Sequence, residues 1–129
     1  DAVFRKMEAA AQKRDPADEA ALDAEFHMAI IEASHNVVML HMMRAMFGLL
    51  REGVFYNRQV MFRQKTTREA LLDQHRAINT ALQAHDPVAA RNAVERHLSF
   101  VETSLKDHFR TERNEAVARL RFAQEAERG

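Results

Sequence analysis

The segment DPADEAALDAEFHMAIIEASHN, residues 15–36, contains a helix together with its start and stop signals. Asp15 is a favourable N-cap residue, and Pro16 fits the first helical position because no backbone N–H is needed there. Acidic residues follow in the first turn, where they complement the helix dipole. Apolar residues then recur every three to four positions, and the polar residues 34–36 are typical of a turn. The segment therefore predicts an amphipathic helix from residue 16 to about 34.

The rest of the chain shows the same helical character. Three glycines and two prolines leave few breaks, and clusters of β-branched residues are nearly absent, so helices are favoured over strands. Asp86-Pro87 repeats the Asp-Pro start, and Thr66 with Glu69 forms a capping box. We predict helices at about 1–14, 16–34, 37–63, 67–84 and from 87 to 108 or beyond.

Short connections between long helices are typical of antiparallel neighbours, so we expect an all-α antiparallel bundle. The charged residues from Arg110 onward are expected to be a continuing helix, a partner-binding extension or a frayed tail. No internal repeat or low-complexity stretch is evident.

Composition argues against several classes of protein. The 129 residues include 19 basic and 19 acidic ones, whereas a domain that binds nucleic acid by itself usually has a basic excess. No cysteine is present, which excludes disulfides and thiolate metal sites. No apolar run approaches the roughly 18 residues of a membrane span, and no leader opens the chain. We therefore expect a cytoplasmic protein.

Three histidines and one aspartate are the candidate metal ligands. Asp23 and His27 are four residues apart and share one face of the second helix. His75 and His97 fall within the apolar stripes of the fourth and fifth helices. Each histidine taken alone is usually a core residue with a hydrogen-bond partner. An inward carboxylate is costly unless it is paired, and one divalent cation, such as zinc, nickel, cobalt, manganese or iron, would satisfy all four residues together. On spacing alone, core histidines with hydrogen-bond partners remain the alternative.

The same ligand set suggests an anionic effector. One carboxylate and three neutral imidazoles leave a dication with a net positive charge, and a small carboxylate can fill an open coordination position. Arg44, Arg51 and Arg58 recur every seven residues, and arginine pairs bidentately with carboxylates. We predict Arg44, Arg51 and Asn79, one turn after His75, as effector-binding residues. Solvated or interface arginines and a surface or capping asparagine are the alternatives.

Signs of catalysis are weak. The chain has no glycine-rich phosphate loop, no Gly-x-Ser-x-Gly elbow and no His-Glu-x-x-His motif. An open metal position can activate water, but no general base stands out beside the predicted ligands. We therefore predict no catalytic residues and expect a protein that is not an enzyme.

Two stretches resemble a known family. Residues 23–36 are similar to the Asp-x-x-(Phe)-His…Ala-Ser-x-Asn signature of the FCD domain, the FadR C-terminal effector domain of GntR-family transcription regulators. Residues 75–86, continued by Ala90 and His97, resemble the second motif of that family. The likeness covers roughly residues 18–108.

The resemblance implies a bundle of six to seven helices and a ligand-sensing role. In the metal-binding branch of the family Asp23, His27, His75 and His97 occupy the ligand positions, with zinc expected first and nickel or manganese as alternatives. The resemblance also implies a homodimer and an effector such as lactate, glycolate or pyruvate. The methionines of the third helix (Met39, Met42, Met43 and Met46) and the charged tail are candidate dimer surfaces.

We expect residues 1–129 to be a single sensing and dimerisation domain. The resemblance places operator-DNA binding in an N-terminal winged helix-turn-helix domain that is absent from this chain. The alternatives are a metal-free dimerisation module and a metal-dependent hydrolase.

Overall fold

The computed structural model describes residues 1–61 and 65–128, without the side chains of residues 50, 55, 58–61 and 65. The described residues form α-helices and contain no strand. The helices are α1 (Ala2–Lys13), α2 (Pro16–Ala33), α3 (Val37–Met61), α4 (Lys65–Gln83) and α5 (Pro87–Arg128). The all-α class predicted from the sequence is confirmed.

Most predicted helix boundaries lie within two residues of the observed ones. The predicted end of α3 at residue 63 lies outside the described residues, and α4 begins at Lys65, two residues before its predicted start. The resemblance implies six to seven helices, whereas five cover the described residues. Residues 87–128 form one uninterrupted helix.

Three connections share one local design, in which a residue in the left-handed region precedes an Asp or Asn cap. The left-handed residues are Arg14, His35 and His85, with φ of 57°, 55° and 52°. The following side chains accept hydrogen bonds from the next helix: Asp15 from Ala17 N at 2.9 Å, Asn36 from Met39 N at 3.0 Å and Asp86 from Ala89 N at 3.0 Å. Each cap satisfies a backbone donor that the helix leaves open, which stabilises a helix by about 1 kcal/mol.

The hydrophobic core lies between α1, α2, α4 and α5. Its buried members are Phe4, Met7, Phe26, Ile78 and Ala93, and the partly buried residues around them are Val3, Leu22, Ile30, Leu72, Leu82 and Val94. The rings of Phe4 and Phe26 meet with their centroids 6.4 Å apart. α3 packs against α2 and α5 and lies outside this cluster.

A buried ion pair brings the beginnings of α2 and α4 together. Arg68 Nη2 lies 2.6 Å from Glu19 Oε1, and these two side chains are 14% and 6% exposed. From this pair both helices continue in the same direction, because Asp23 also approaches His75. One to two turns further on, Asp23 and His27 of α2 are level with His75 of α4.

The turn at residues 84–86 brings α5 back along α4. His75 precedes this turn by about three helical turns and His97 follows it by about three. The hairpin therefore places the two histidines side by side. Segments of α2, α4 and α5 that are separated in sequence thus lie at the same level along the bundle axis.

Beyond residue 108, α5 leaves the bundle. Every described residue from 109 to 128 is exposed, including Phe109, Leu120 and Phe122. Of the three expectations for this tail, a continuing helix is the one observed. No helix in the described ranges combines the length and apolarity that crossing a membrane requires.

Candidate metal centre

Three imidazoles form the centre of the site. The ring centroids of His75 and His97 are 4.4 Å apart, and His27 lies 5.7 Å from the first and 5.6 Å from the second. Each ring offers a nitrogen within 4.8 Å of the nitrogens of the other two. Such a convergence is the arrangement that a single bound cation requires, because each ligand nitrogen lies about 2.0–2.1 Å from a zinc ion.

Asp23 supplies a carboxylate to the same cluster. Its Oδ1 lies 3.1 Å from His27 Nε2 and 3.2 Å from His75 Nε2. The Asp23 side chain is only 9% exposed. Asp23 thus lies beside two of the three imidazoles, His27 and His75, whereas the group whose ligand atoms all lie within 4.8 Å of one another consists of His27, His75 and His97.

His75 is the most deeply buried member of the cluster, with 0% exposure. Within the described part of the chain neither of its ring nitrogens has a hydrogen-bond partner. The 3.2 Å approach of Asp23 Oδ1 to His75 Nε2 is within ion-pair range, but its direction does not make a hydrogen bond. An unsatisfied buried polar group costs about 1–3 kcal/mol. A cation that accepts the lone pair of one His75 nitrogen removes this cost for that nitrogen, so the residues present fit a metal ion.

The Phe26 ring is an apolar neighbour of two of the imidazoles. Its ring packs edge-on against His75, with centroids 5.3 Å apart and an interplanar angle of 81°. A similar contact joins Phe26 to His27 at 6.1 Å and 79°. These contacts orient the two imidazoles and exclude water from the inner side of the cluster.

Gln74 contacts the third imidazole. Its Oε1 lies 2.9 Å from His97 Nδ1. An amide oxygen can only accept, so this contact suits the His97 tautomer with the proton on Nδ1, in which Nε2 is the nitrogen able to bind a cation. Metal-binding histidines usually donate their second nitrogen in this way. The sequence analysis did not identify Gln74 as a site residue. Its position was a possible signal, because it lies three residues after Leu71 and four before Ile78, the spacing of the apolar stripe of α4.

A cavity of about 360 Å³ opens beside the cluster. Its polar lining residues are Asp23, His27, His97 and Asn57, and its apolar ones are Ile30, Ile31, Met43, Val54, Leu71, Val94, Leu98 and Val101. The volume is typical of a small-ligand site, and the concentration of polar groups among apolar walls is the usual composition of one. Asn57 was also missed, although its position three residues after Val54 gives it the inward face of α3.

The residues predicted to bind an effector are not gathered at this cavity. Arg44 lies on the surface, with Nη2 3.7 Å from Glu32 Oε1 of α2. Arg51 is exposed and lines a different groove between α2 and α3. Asn79 is buried but lines a second cavity beyond Phe26, and the side chain of Arg58 lies outside the described residues.

Comparison with known families identifies the domain. A family model described as the FCD domain matches residues 1–100. The chain belongs to the FCD domain family. The match includes all four candidate ligands and ends within α5, so the exposed part of that helix lies beyond it.

The FCD domain is similar to several curated regulators. It is 42% identical over 92 residues to the "Putative L-lactate dehydrogenase operon regulatory protein" of Escherichia coli (strain K12), covering 71% of this chain and 36% of that protein. It is 33% identical over 88 residues to the HTH-type transcriptional regulator LutR of Bacillus subtilis (strain 168), covering 67% and 40%. It is 28% identical over 107 residues to the Glc operon transcriptional activator of Escherichia coli (strain K12), covering 81% and 42%.

These matches confirm the family resemblance noted in the motifs at residues 23–36 and 75–97. The chain spans less than half the length of each of these relatives. All three are named as regulators of an operon or of transcription, and none is named as an enzyme.

Proposed function

We propose that this FCD domain is the effector-sensing part of a bacterial GntR-family transcription regulator. In this proposal Asp23, His27, His75 and His97 hold one divalent cation, and the neighbouring cavity binds a small organic carboxylate. The observation that carries the proposal is the convergence of three imidazole nitrogens within 4.8 Å of one another. The fully buried imidazole of His75, whose nitrogens have no hydrogen bond to any side chain or backbone atom that the structure describes, supports it.

The donor set limits the identity of the cation. Three nitrogens and one carboxylate oxygen suit zinc, with nickel and manganese as alternatives, because the chain has no thiolate to offer. When bound, the cation supplies a Lewis-acid position for an anionic oxygen. Asp23 offsets only one of its two positive charges, so the site keeps an attraction for a carboxylate.

The cavity supports a short, partly apolar acid as the effector. The Asn57 amide can donate a hydrogen bond to a carboxylate or hydroxyl oxygen. Ile30, Val94 and Leu71 present apolar walls to the carbon chain of such a molecule. Lactate, glycolate and pyruvate fit this description, and one relative is named for an L-lactate dehydrogenase operon.

The helices that line the site suggest how binding is transmitted. α2, α4 and α5 carry the ligands, and α3 adds Met43, Val54 and Asn57 to the cavity wall. An effector changes the equilibrium between two helix arrangements only by binding one of them more tightly. In a homodimer such a change alters the spacing of the DNA-binding domains, which we place N-terminal to this chain.

Metal analysis followed by calorimetry tests this function. Protein purified without a metal-affinity column is expected to contain close to equimolar zinc, nickel or manganese. Calorimetric titration with lactate, pyruvate, glycolate, acetate and citrate should reveal saturable binding of at least one acid, which a chelator abolishes. Protein that stays metal-free after incubation with all three ions would exclude the cation-dependent sensor and leave the metal-free dimerisation module. Conversion of the bound acid to a product would show an enzyme.

A further inference from the structure

A second cavity, of about 590 Å³, opens at the end of the bundle where α4 turns into α5. The buried residues Phe26, Asn79 and Ala81 form its deep part. Exposed residues lie at its mouth: Asp1, Gln83, His85, Asp86 and Pro87. A cavity of this volume, with a buried and mostly apolar base, has the usual form of a small-molecule site.

The side chain of Asn79 is a buried polar group in the second cavity. Asn79 is 9% exposed, and its amide makes no hydrogen bond with any residue that the structure describes. Buried amides in folded proteins nearly always have a partner, because an unpaired one lowers stability. The Asn79 amide is therefore available to a molecule in the cavity, to which it offers two N–H donors and one carbonyl acceptor.

The second cavity is separate from the cation cluster. The Phe26 ring lines the second cavity and also packs edge-on against His75, with centroids 5.3 Å apart. Ile30 likewise borders both this cavity and the one beside the cluster. Asn79 follows His75 by one helical turn on the same face of α4. A molecule in the second cavity would thus contact Phe26 and Ile30 without reaching the candidate metal ligands.

The charged groups at the mouth disfavour an ionised ligand. The described lining residues include no lysine and no arginine. Both acidic groups are already engaged, because the Asp1 carboxylate pairs with Arg5 and Asp86 accepts a hydrogen bond from Ala89 N at 3.0 Å. A carboxylate ligand would meet these two negative side chains and could not donate a hydrogen bond to the carbonyl oxygen of Asn79. An ammonium ligand would find neither carboxylate free.

We infer that the second cavity binds a small uncharged molecule that carries an amide group on an apolar body. A primary amide or a lactam presents an N–H donor beside a carbonyl acceptor, and this pair matches the acceptor and a donor of Asn79. The apolar body packs against Phe26, Ile30 and Ala81 at the base of the cavity. The site is additional to the carboxylate site of the proposed function and does not depend on it, since the candidate metal ligands do not line it.

Assigned NMR spectra of the 129-residue chain test the site. The probes are benzamide and δ-valerolactam, and either is expected to shift the Asn79 side-chain resonances and the backbone resonances of Ala33 and Ala90, which line the cavity. The expected dissociation constant is about 10 mM or lower, as for a fragment of this size. Benzoate is the matched control ligand, because it keeps the ring of benzamide and replaces the amide by a charge. Absence of saturable shifts with both probes, or equal affinities for benzamide and benzoate, would overturn the inference.

Replacement of Asn79 by leucine tests the contact itself. Benzamide affinity is expected to fall at least about tenfold, because the paired hydrogen bonds are lost. The urea midpoint should rise, because an unpaired buried amide is replaced by an apolar side chain. Asn114→Leu is the matched control, since Asn114 is exposed on the part of α5 beyond the bundle, and it should change neither quantity. Equal benzamide affinities for the two variants, or a lower urea midpoint for Asn79→Leu, would show a structural asparagine and contradict the site.

Discussion

Replacement of His75 by leucine is expected to abolish tight cation binding while it stabilises the cation-free domain. The imidazole is 0% exposed and its nitrogens lack hydrogen-bond partners among the described residues. Leucine has a similar volume and no polar atom to desolvate, so the unfolding free energy measured with a chelator should rise by about 1–3 kcal/mol. Cation affinity should fall by more than about 100-fold, beyond the loss that changes outside the ligand shell cause. Competition titration with a chromophoric chelator and urea unfolding provide the two readouts.

The His75→Leu variant distinguishes a metal ligand from a structural histidine, because cation affinity is expected to fall while the stability of the cation-free domain rises. A histidine with a purely structural role would lose stability on replacement and have no effect on cation binding. His41→Ala is the matched control, because His41 is exposed on α3 and is not one of the candidate ligands. Unchanged cation affinity in His75→Leu would show that the ligand set is wrong.

Gln74→Leu is expected to weaken cation binding about 10- to 100-fold without changing the ligands themselves. Gln74 Oε1 lies 2.9 Å from His97 Nδ1, a contact that favours the tautomer with its lone pair on Nε2. Without this acceptor the imidazole can rotate or adopt the other tautomer, so part of the binding free energy is spent on ordering it. Gln74→Glu keeps an acceptor oxygen at the same position and should retain at least the wild-type affinity.

Gln83→Leu is the control for this second prediction, since Gln83 is an exposed glutamine near the end of α4. The affinities are measured for all three variants with the same ion and competitor. Equal affinities for Gln74→Leu and Gln83→Leu would mean that the contact between Gln74 and His97 does not prepare the site for a cation.

The helices were predictable because their signals are local. Asp15 and Asp86 each cap the helix that begins at the next proline, as their sequences indicate. The extent of α5 was left open because the residues after 108 have too thin an apolar stripe to show what they pack against. In the structure residues 109–128 are helical and exposed.

The site was predictable only in part. His75 and His97 stand in apolar stripes, where an imidazole is conspicuous, and Asp23 lies one turn before His27. The contribution of Gln74 depends on how α4 crosses α5, and that of Asn57 on how α3 covers α2. Neither crossing can be derived from periodicity. Regular spacing of arginines on α3 likewise does not reveal that Arg44 lies beside Glu32 on the surface.

X-ray absorption spectroscopy of the zinc-loaded domain tests the central claim most directly. We predict a first shell of nitrogen and oxygen neighbours at about 2.0–2.2 Å, with the outer-shell scattering of three imidazole rings and no sulfur. The His97→Ala variant, if it still binds zinc, should show one imidazole fewer. A spectrum of the wild type with oxygen neighbours alone, or with fewer than three imidazoles, would contradict a cation held by Asp23, His27, His75 and His97.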